Sequence, residues 1–244
     1  MPGIPYKELF EEIWLRGYEV FLVGGSVRDV LAGLVPKDID LVTTMRLHLA
    51  LPFLESMYGS RPSLKGETGF LRLGNHRATE DNFIDVKMFT QSFVGSPDAL
   101  FGASFAEDLA FRDFSCNSLY YDPNNRVLID PHGRGISDAA ERLLRLVHDA
   151  ERGRGKQMGQ ITIRYVKFRC RGFSAADGTH DRIVTEYAKY LSGMTEDDRR
   201  HYLARQITNK AKLEEKKKVI EEFGAAMEEF GLKHAWDELL RDLC

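Results

Sequence analysis

The sequence predicts an α+β chain, with an α/β head over residues 1–150 and a small all-helical domain over residues 151–244. Three observations predict it. Short apolar or alternating segments recur through the first 140 residues, separated by turns containing Gly and Pro. Gly and Pro then thin out. The most regular helical periodicity lies in Thr195–Phe230, long enough for two helices.

Each element has its own local reason. Tyr6–Leu15 carries apolar residues at helical spacing. Glu19–Val23 is a short apolar strand, Gly24-Gly25 a turn, and Ser26 is expected to cap a helix through Leu31. Asp38–Val42 alternates polar and apolar residues, as a half-buried strand does. Arg46–Tyr58 is a second helix, and Gly69–Leu73 and Asn82–Phe89 are strands. Ser96–Leu100 reads as loop. Glu107–Leu119 shows helical spacing and is expected as one helix, closed by Tyr120-Tyr121. Val127–Ile129 is a short strand, Gly133–Gly135 a turn, and Leu143–Val147 is expected to extend the sheet. Ile161–Phe173 is expected as a helix leaving the sheet, with later breaks near Gly178, Gly193 and Gly231.

Composition bounds the function. Of 244 residues, 43% are hydrophobic and 29% charged, near the globular average, which sets aside disorder and fibrous rods. No apolar run of about eighteen residues appears, so no membrane span is expected. No charged start followed by an apolar run suggests a secretory signal. Cys116, Cys170 and Cys244 lie far apart without a paired spacing. That argues against a zinc site or a disulfide framework and predicts a reducing, cytoplasmic setting. The net charge of −3 excludes a globally basic nucleic-acid binder. A local basic stretch runs from Arg152 to Arg171, with seven basic residues and no acidic one. It is equally readable as a phosphate contact or a solvated helix face.

The chemistry concentrates at Asp38-Ile39-Asp40. Residues two apart on a strand share a face, so both carboxylates point out together while Ile39 points inward. Two acids held that close need a cation, and oxygen ligands of this kind suit magnesium bridging to phosphates. A bare pair of this spacing is most often solvated, so context decides. Thirteen residues earlier stands Gly25, in the segment Val23–Asp29. A strand, two glycines and a helix start bring free backbone N–H groups to one point, where phosphate oxygens can be held. Arg28, one helical turn in, is placed to reach the same phosphates. The bland alternative is an ordinary strand-turn-helix with glycine for its positive φ. The G-x-G-x-x-G spacing of a dinucleotide fold is missing. Asp85 lies in a second alternating strand, with Glu80 and Asp81 as rivals. If that strand pairs beside Asp40, three carboxylates converge in the arrangement that two-metal phosphoryl or nucleotidyl transfer needs.

The segment Leu22–Thr43 resembles the first motif of class II tRNA nucleotidyltransferases (CCA-adding enzymes) and bacterial poly(A) polymerases. That pattern is a Gly-Gly-x-Val-Arg-Asp turn, a short helix closing at Gly, and Asp-x-Asp. Gly24, Gly25, Val27, Arg28, Asp29, Gly33, Asp38 and Asp40 match it in register. Glu107–Leu119 resembles the family's Arg-Arg-Asp-Phe-Thr-Ile-Asn-Ala motif, and Leu128–Asp138 its Asp-Pro-x-Gly-Gly-x-x-Asp-Leu stretch. The resemblance is good over residues 15–150 and weak over 160–175. It implies a nucleotidyltransferase-type mixed sheet with flanking helices. It implies Asp38 and Asp40 as ligands of Mg2+, with Asp85 where the family places a strand carboxylate. It implies Gly24, Gly25 and Arg28 at the triphosphate of the incoming NTP, ATP or CTP. Asp113 would sit by its ribose, with Arg112 and Asn117 nearby. Set beside these roles, Asp113 reads blandly as a helix-surface residue, Asn117 as a helix-face amide, and Asp130 as a turn residue before proline.

The departures bear on substrate choice. Phe111 stands where the family's second motif has its first Arg. The family's base-reading Glu-Asp-x-x-Arg motif falls on Gln157, Met158 and Ile161, leaving Arg164, one turn further on, as the surviving match. Ordinary addition of C, C and A is therefore not expected. About seventy residues follow Phe173, enough for three or four helices, so a reduced or different grip on tRNA is expected. The expected reaction is metal-dependent transfer of NMP from an NTP to an RNA 3′ hydroxyl with release of pyrophosphate. The alternatives are a small-molecule or protein acceptor, and a catalytically inactive nucleotide- or RNA-binding regulator. The intact Asp38 and Asp40 count against the last. His132 and His148 have no nucleophile near them in sequence, Trp14 and Trp236 read as packing residues, and Lys216-Lys217-Lys218 as an exposed helix face.

Overall fold

The computed structural model describes residues 6–36, 39–58, 63–64, 70–74, 83–90, 104–148, 155–208 and 215–241. The chain divides into two compact units, Met1–Glu141 and Arg142–Cys244.

The first unit runs α1 (Tyr6–Leu15), β1 (Val20–Val23), α2 (Gly25–Leu31), β2 (Ile39–Thr43), α3 (Leu47–Tyr58), β3 (Ser63–Leu64), β4 (Phe70–Gly74) and β5 (Phe83–Met88). It continues with α4 (Phe105–Ala110), a 3-10 turn at Ser115–Asn117, β6 (Tyr120–Asp122), β7 (Val127–Ile129) and α5 (Gly135–Ala140). The strands form one mixed seven-stranded sheet in the order β3-β4-β5-β2-β1-β6-β7. β2 and β5 are parallel neighbours, and the other pairs are antiparallel. The mixed sheet with flanking helices is the architecture the sequence predicts.

Strand alternation sorts the sheet into two faces. On one, Val20, Ile39, Leu41, Leu71, Ile84 and Val86 pack against Leu9, Phe10 and Ile13 of α1 and Leu47, Ala50 and Leu54 of α3. On the other, Phe21, Val23, Val42, Phe89 and Tyr120 pack with Phe105 and Leu109 of α4. The rings of Phe105 and Tyr120 lie 4.6 Å apart, and Phe21 meets Tyr120 edge-on at 6.2 Å. Asp40 and Asp85 belong to this second face by alternation.

Several expectations are corrected. Ser26 does not cap α2. Gly24 takes that position with φ 61°, and Ser26 lies inside the first turn, donating its hydroxyl to the Val23 carbonyl at 2.9 Å. Glu107–Leu119 is not one helix. A short helix capped by Ser104 and Glu107 ends at Ala110, and the chain turns through Asp113 into the 3-10 turn. The Asp113 carboxylate accepts from the Phe114 N–H at 2.8 Å, a local bond that competes with helix continuation. Tyr120-Tyr121 begins β6 instead of ending a helix. Trp14 is 54% exposed and packs no core.

The second unit is described by itself. It contains β8 (Leu143–Leu144), α6 (Gly155–Arg169), β9 (Ser174–Ala175), α7 (Thr179–Arg182), α8 (Glu196–Tyr202), α9 (Lys216–Glu229) and α10 (Lys233–Leu240), with π and 3-10 turns between helices. Leu143-Leu144 pairs with β9 in a separate two-stranded sheet and does not extend the large one. The breaks expected near Gly178, Gly193 and Gly231 all fall between helices. Trp236 stacks on Phe223 at 5.6 Å as a packing residue. Lys218 pairs with Glu222 on an exposed face. Much of the basic stretch is engaged within this unit. Lys156 pairs with Asp198 at 2.8 Å, Lys167 donates to Gln206, and Arg169 bonds the Tyr165 hydroxyl and covers the Phe230 ring at 4.3 Å. Among the described residues no helix is long and apolar enough to cross a membrane.

Candidate active site

The site is built at one end of the first unit's sheet. Because β2 and β5 are parallel and in register, Asp40 lies directly beside Asp85. Register partners project to the same face, so the two carboxylates stand side by side. Asp85 is buried, and the Asp40 side chain is about a quarter exposed, at 27%. Strand β1 runs antiparallel to β2, with Leu22 opposite Leu41, which carries its C-terminal end to Asp40. The chain then turns at Gly24-Gly25 into α2. A Cβ built on Gly25 would stand 3.8 Å from Asp40 Oδ2 and 3.5 Å from Arg28 Nη2. The glycine turn, Arg28 and Asp40 are therefore neighbours, as the motif requires.

Behind this turn runs a buried polar chain. Arg28 donates Nε at 2.8 Å and Nη2 at 2.5 Å to Asp29 Oδ1, and Nη1 at 2.5 Å to Asn117 Oδ1. Asn117 donates its amide to Asp113 Oδ1 at 3.0 Å. Arg28, Asn117 and Asp113 are all at most 5% exposed. Burying a guanidinium is costly unless it is paired and its donors are bonded, and here Asp29 and Asn117 meet both needs. Asp113 and Asn117 are thus neither helix-surface residues nor helix-face amides. They are buried parts of the structure that fixes Arg28.

The third motif supports the same region. Asp130 caps α5 from a distance, accepting from the Gly135 and Ile136 N–H groups at 3.1 Å each. Ser115 donates to Asp138 at 2.5 Å, tying the 3-10 turn to α5. Asp130 is more than a turn residue before proline.

Arg112 goes elsewhere. It reaches Asp108 Oδ2 through Nη2 at 2.6 Å and Nε at 3.0 Å, and it lies over the Tyr120 ring at 4.9 Å. The Tyr120 hydroxyl also donates to Asp108 Oδ2 at 2.7 Å, while Thr90 N–H donates to Oδ1 at 3.1 Å. Burial works against the charged form of Arg112, but Asp108 outweighs it and holds the guanidinium charged. Burial pushes the Tyr120 phenol up, so it stays a neutral donor to Asp108. Burial likewise pushes the Cys116 thiol up to about 12.

Asp38, Glu80 and Asp81 lie outside the described residues, as does Ser96–Leu100. Among the described residues no group of three or more His, Cys, Asp or Glu could hold a metal ion. The pair that is described, Asp40 with Asp85, has the donor chemistry of a hard divalent cation. One of its oxygens already attracts positive charge: Lys87 Nζ stands 2.8 Å from Asp40 Oδ1. The donors present therefore fit a divalent ion. Sequence reasoning passed over Lys87. The signal was its place two residues after Asp85 on an alternating strand.

Arg164 belongs to the second unit, on α6, with its guanidinium 5.5 Å over the Phe168 ring. Gln157, Met158 and Ile161 on the same helix are buried.

Comparison with known proteins agrees with this arrangement. Poly(A) polymerase I of Haemophilus influenzae is 29% identical over 151 residues, covering 57% of this chain and 32% of that protein. The chain spans about a third of the length of the curated relatives it matches first. The crystal structure of Bacillus stearothermophilus CCA-adding enzyme in complex with CTP aligns with a TM-score of 0.64 at 24% identity, covering 92% of this chain and 51% of that one. A tRNA nucleotidyltransferase complexed with a primer tRNA and an incoming ATP analog aligns with a TM-score of 0.64 at 19% identity, covering 94% of this chain and 61% of that one. These structural likenesses are of fold, and they take in the helical part as well as the head. Residues 20–145 match the poly(A) polymerase head domain, and the chain belongs to that family.

Proposed function

We propose that the chain transfers a nucleoside monophosphate from a ribonucleoside triphosphate to the 3′ hydroxyl of an RNA, releasing pyrophosphate. The observation that carries this reading is the in-register pairing of Asp40 with Asp85 beside the Gly24-Gly25 turn. Family membership supports the reaction class. The neighbours solved with CTP, and with primer tRNA and an ATP analog, support a triphosphate and an RNA as partners. In this reading Asp38, Asp40 and Asp85 hold Mg2+. The ion, when bound, lowers the pKa of the attacking hydroxyl and offsets charge on the leaving pyrophosphate. The backbone of Gly24 and Gly25 approaches the triphosphate closely, because no side chain stands between it and Asp40. Arg28 fixes that turn and, through Asn117, the carboxylate of Asp113 that faces the ribose. Arg112 supports this edge from its buried pairing with Asp108. The head function is assigned to residues 1–150 and a neck- and body-like role to 151–244, with Arg164 the remaining candidate for contact with the base. Burial of Gln157, Met158 and Ile161 supports altered or relaxed base choice.

The test is incubation of the protein with Mg2+, each labelled triphosphate in turn and total cellular RNA, with Asp40→Ala as control. Label entering RNA only with the unaltered protein supports the reading and names the base. Label in a protein or metabolite fraction, and none in RNA, would replace the acceptor. Strict addition of CTP and then ATP would overturn the inference about base choice.

A further inference from the structure

We propose that Lys87 is a resident counter-ion of the carboxylate site. Its ammonium neutralises Asp40 when no divalent cation is bound and must leave Asp40 Oδ1 for one to bind. Lys87 thereby sets how much metal the site demands. The identity of the cation rests on the transferase reading above; the competition rests on the ion pair alone.

Lys87 and Asp85 are two apart on β5 and share a face. The register sets Asp40 beside Asp85 and Val42 beside Lys87. The lysine stem therefore starts two residues along the strand and leans back to Asp40, bringing Nζ to 2.8 Å from Oδ1. The two side chains are only 18% and 27% exposed, so solvent screens this pair less than a surface pair. A hard divalent ion sits roughly 2.1 Å from a carboxylate oxygen. An ammonium bonded to that same oxygen would lie within a few ångströms of a double positive charge, and Coulomb repulsion at that range is large. The two occupants exclude each other at Oδ1. A lysine can yield, because its compact charge rides on four flexible methylenes.

The test measures Mn2+ binding to the full chain without nucleotide, from the electron paramagnetic resonance signal of free Mn2+. Lys87→Met keeps the stem and removes the charge, and it should bind Mn2+ about tenfold more tightly, or ~1.4 kcal/mol. Lys87→Arg keeps the charge and should bind like the unaltered protein. Equal or weaker binding by Lys87→Met overturns the proposal, and so does equal tightening by both variants, which would point to packing. Should Lys87→Met fail to fold by circular dichroism, Lys87→Gln takes its place. Tighter Mn2+ binding without any nucleotide transfer keeps the counter-ion role and removes the transferase reading. Transfer without tighter binding does the reverse.

Discussion

Replacing Gly135 with Ala should damage the site from behind. A Cβ at Gly135 would stand 2.7 Å from the Ser115 carbonyl oxygen, 2.7 Å from Leu119 Cδ2 and 2.9 Å from Asp130 Oδ1. All three lie inside the closest approach that real Cβ atoms make. The Ser115 carbonyl belongs to a buried 3-10 turn whose hydroxyl is already tied to Asp138, so it cannot swing aside as a flexible side chain would. Relief requires α5 to move off the turn. Overpacking of this kind costs about 1–3 kcal/mol. Weakening the Asp130 cap on Gly135 and Ile136 adds about 1 kcal/mol. The sum, about 2–4 kcal/mol, corresponds to roughly 4–16 °C in melting temperature for a chain of this size. Gly133→Ala is the control. It has φ 64° but nothing within 4 Å of an added Cβ, so only the left-handed backbone penalty of about 1–2 kcal/mol applies. Thermal unfolding followed by circular dichroism compares the two. The same displacement moves Asn117, and with it Arg28, so Gly135→Ala should also weaken triphosphate binding while Gly133→Ala should not. A Gly135→Ala protein that melts no lower than Gly133→Ala would refute this reasoning.

Two further outcomes follow from buried groups. Asp108→Ala removes the carboxylate shared by Arg112, Tyr120 and Thr90 and leaves a largely buried guanidinium uncompensated. Urea unfolding should show a loss of about 3–5 kcal/mol, and a loss below about 1 kcal/mol would contradict the assignment. In a Cys170→Ser, Cys244→Ser background, Cys116 should resist a thiol reagent at pH 8 until the protein unfolds, because burial keeps its thiol neutral. The same upward shift makes stability fall as pH rises from 9.0 toward about 12, where the unfolded thiol ionises and the folded one does not. Rapid labelling of the native protein would show the shift to be wrong.

What the sequence disclosed depended on how local each feature is. The glycine turn and Asp40 were readable because strand, turn and helix follow within twenty residues, and each step has its own composition. That Asp85 faces the same way as Asp40 followed from alternation. That the two strands are neighbours is a long-range fact, reached through the family resemblance and fixed by the parallel register. Glu107–Leu119 misled because apolar residues recur along it with no Gly or Pro to mark a break. The side chains of Asp113, Ser115 and Asn117 instead bond locally and to α5, and so break the helix. Leu143–Val147 misled for another reason: Leu143-Leu144 already belongs to the second unit, and its partner there, Ser174–Ala175, lies thirty residues on. The pairing of Arg112 with Asp108, four residues earlier, was visible in the sequence as an i,i+4 partner. Lys87 shares a face with Asp85 by alternation, but its ion pair with Asp40, 47 residues away in sequence, rests on the same long-range pairing of β2 with β5.

The central claim is that Asp40 and Asp85 act together in metal-dependent nucleotidyl transfer. Its most direct test is the rate of pyrophosphate release at saturating Mg2+ for the unaltered protein, Asp40→Asn and Asp85→Asn. Each substitution keeps the shape and removes one charge. Both should lower the rate at least about a hundredfold while the protein stays folded, as loss of a group that stabilises transition-state charge does. If either variant keeps a rate within about tenfold of the unaltered protein, the two carboxylates are not the catalytic pair.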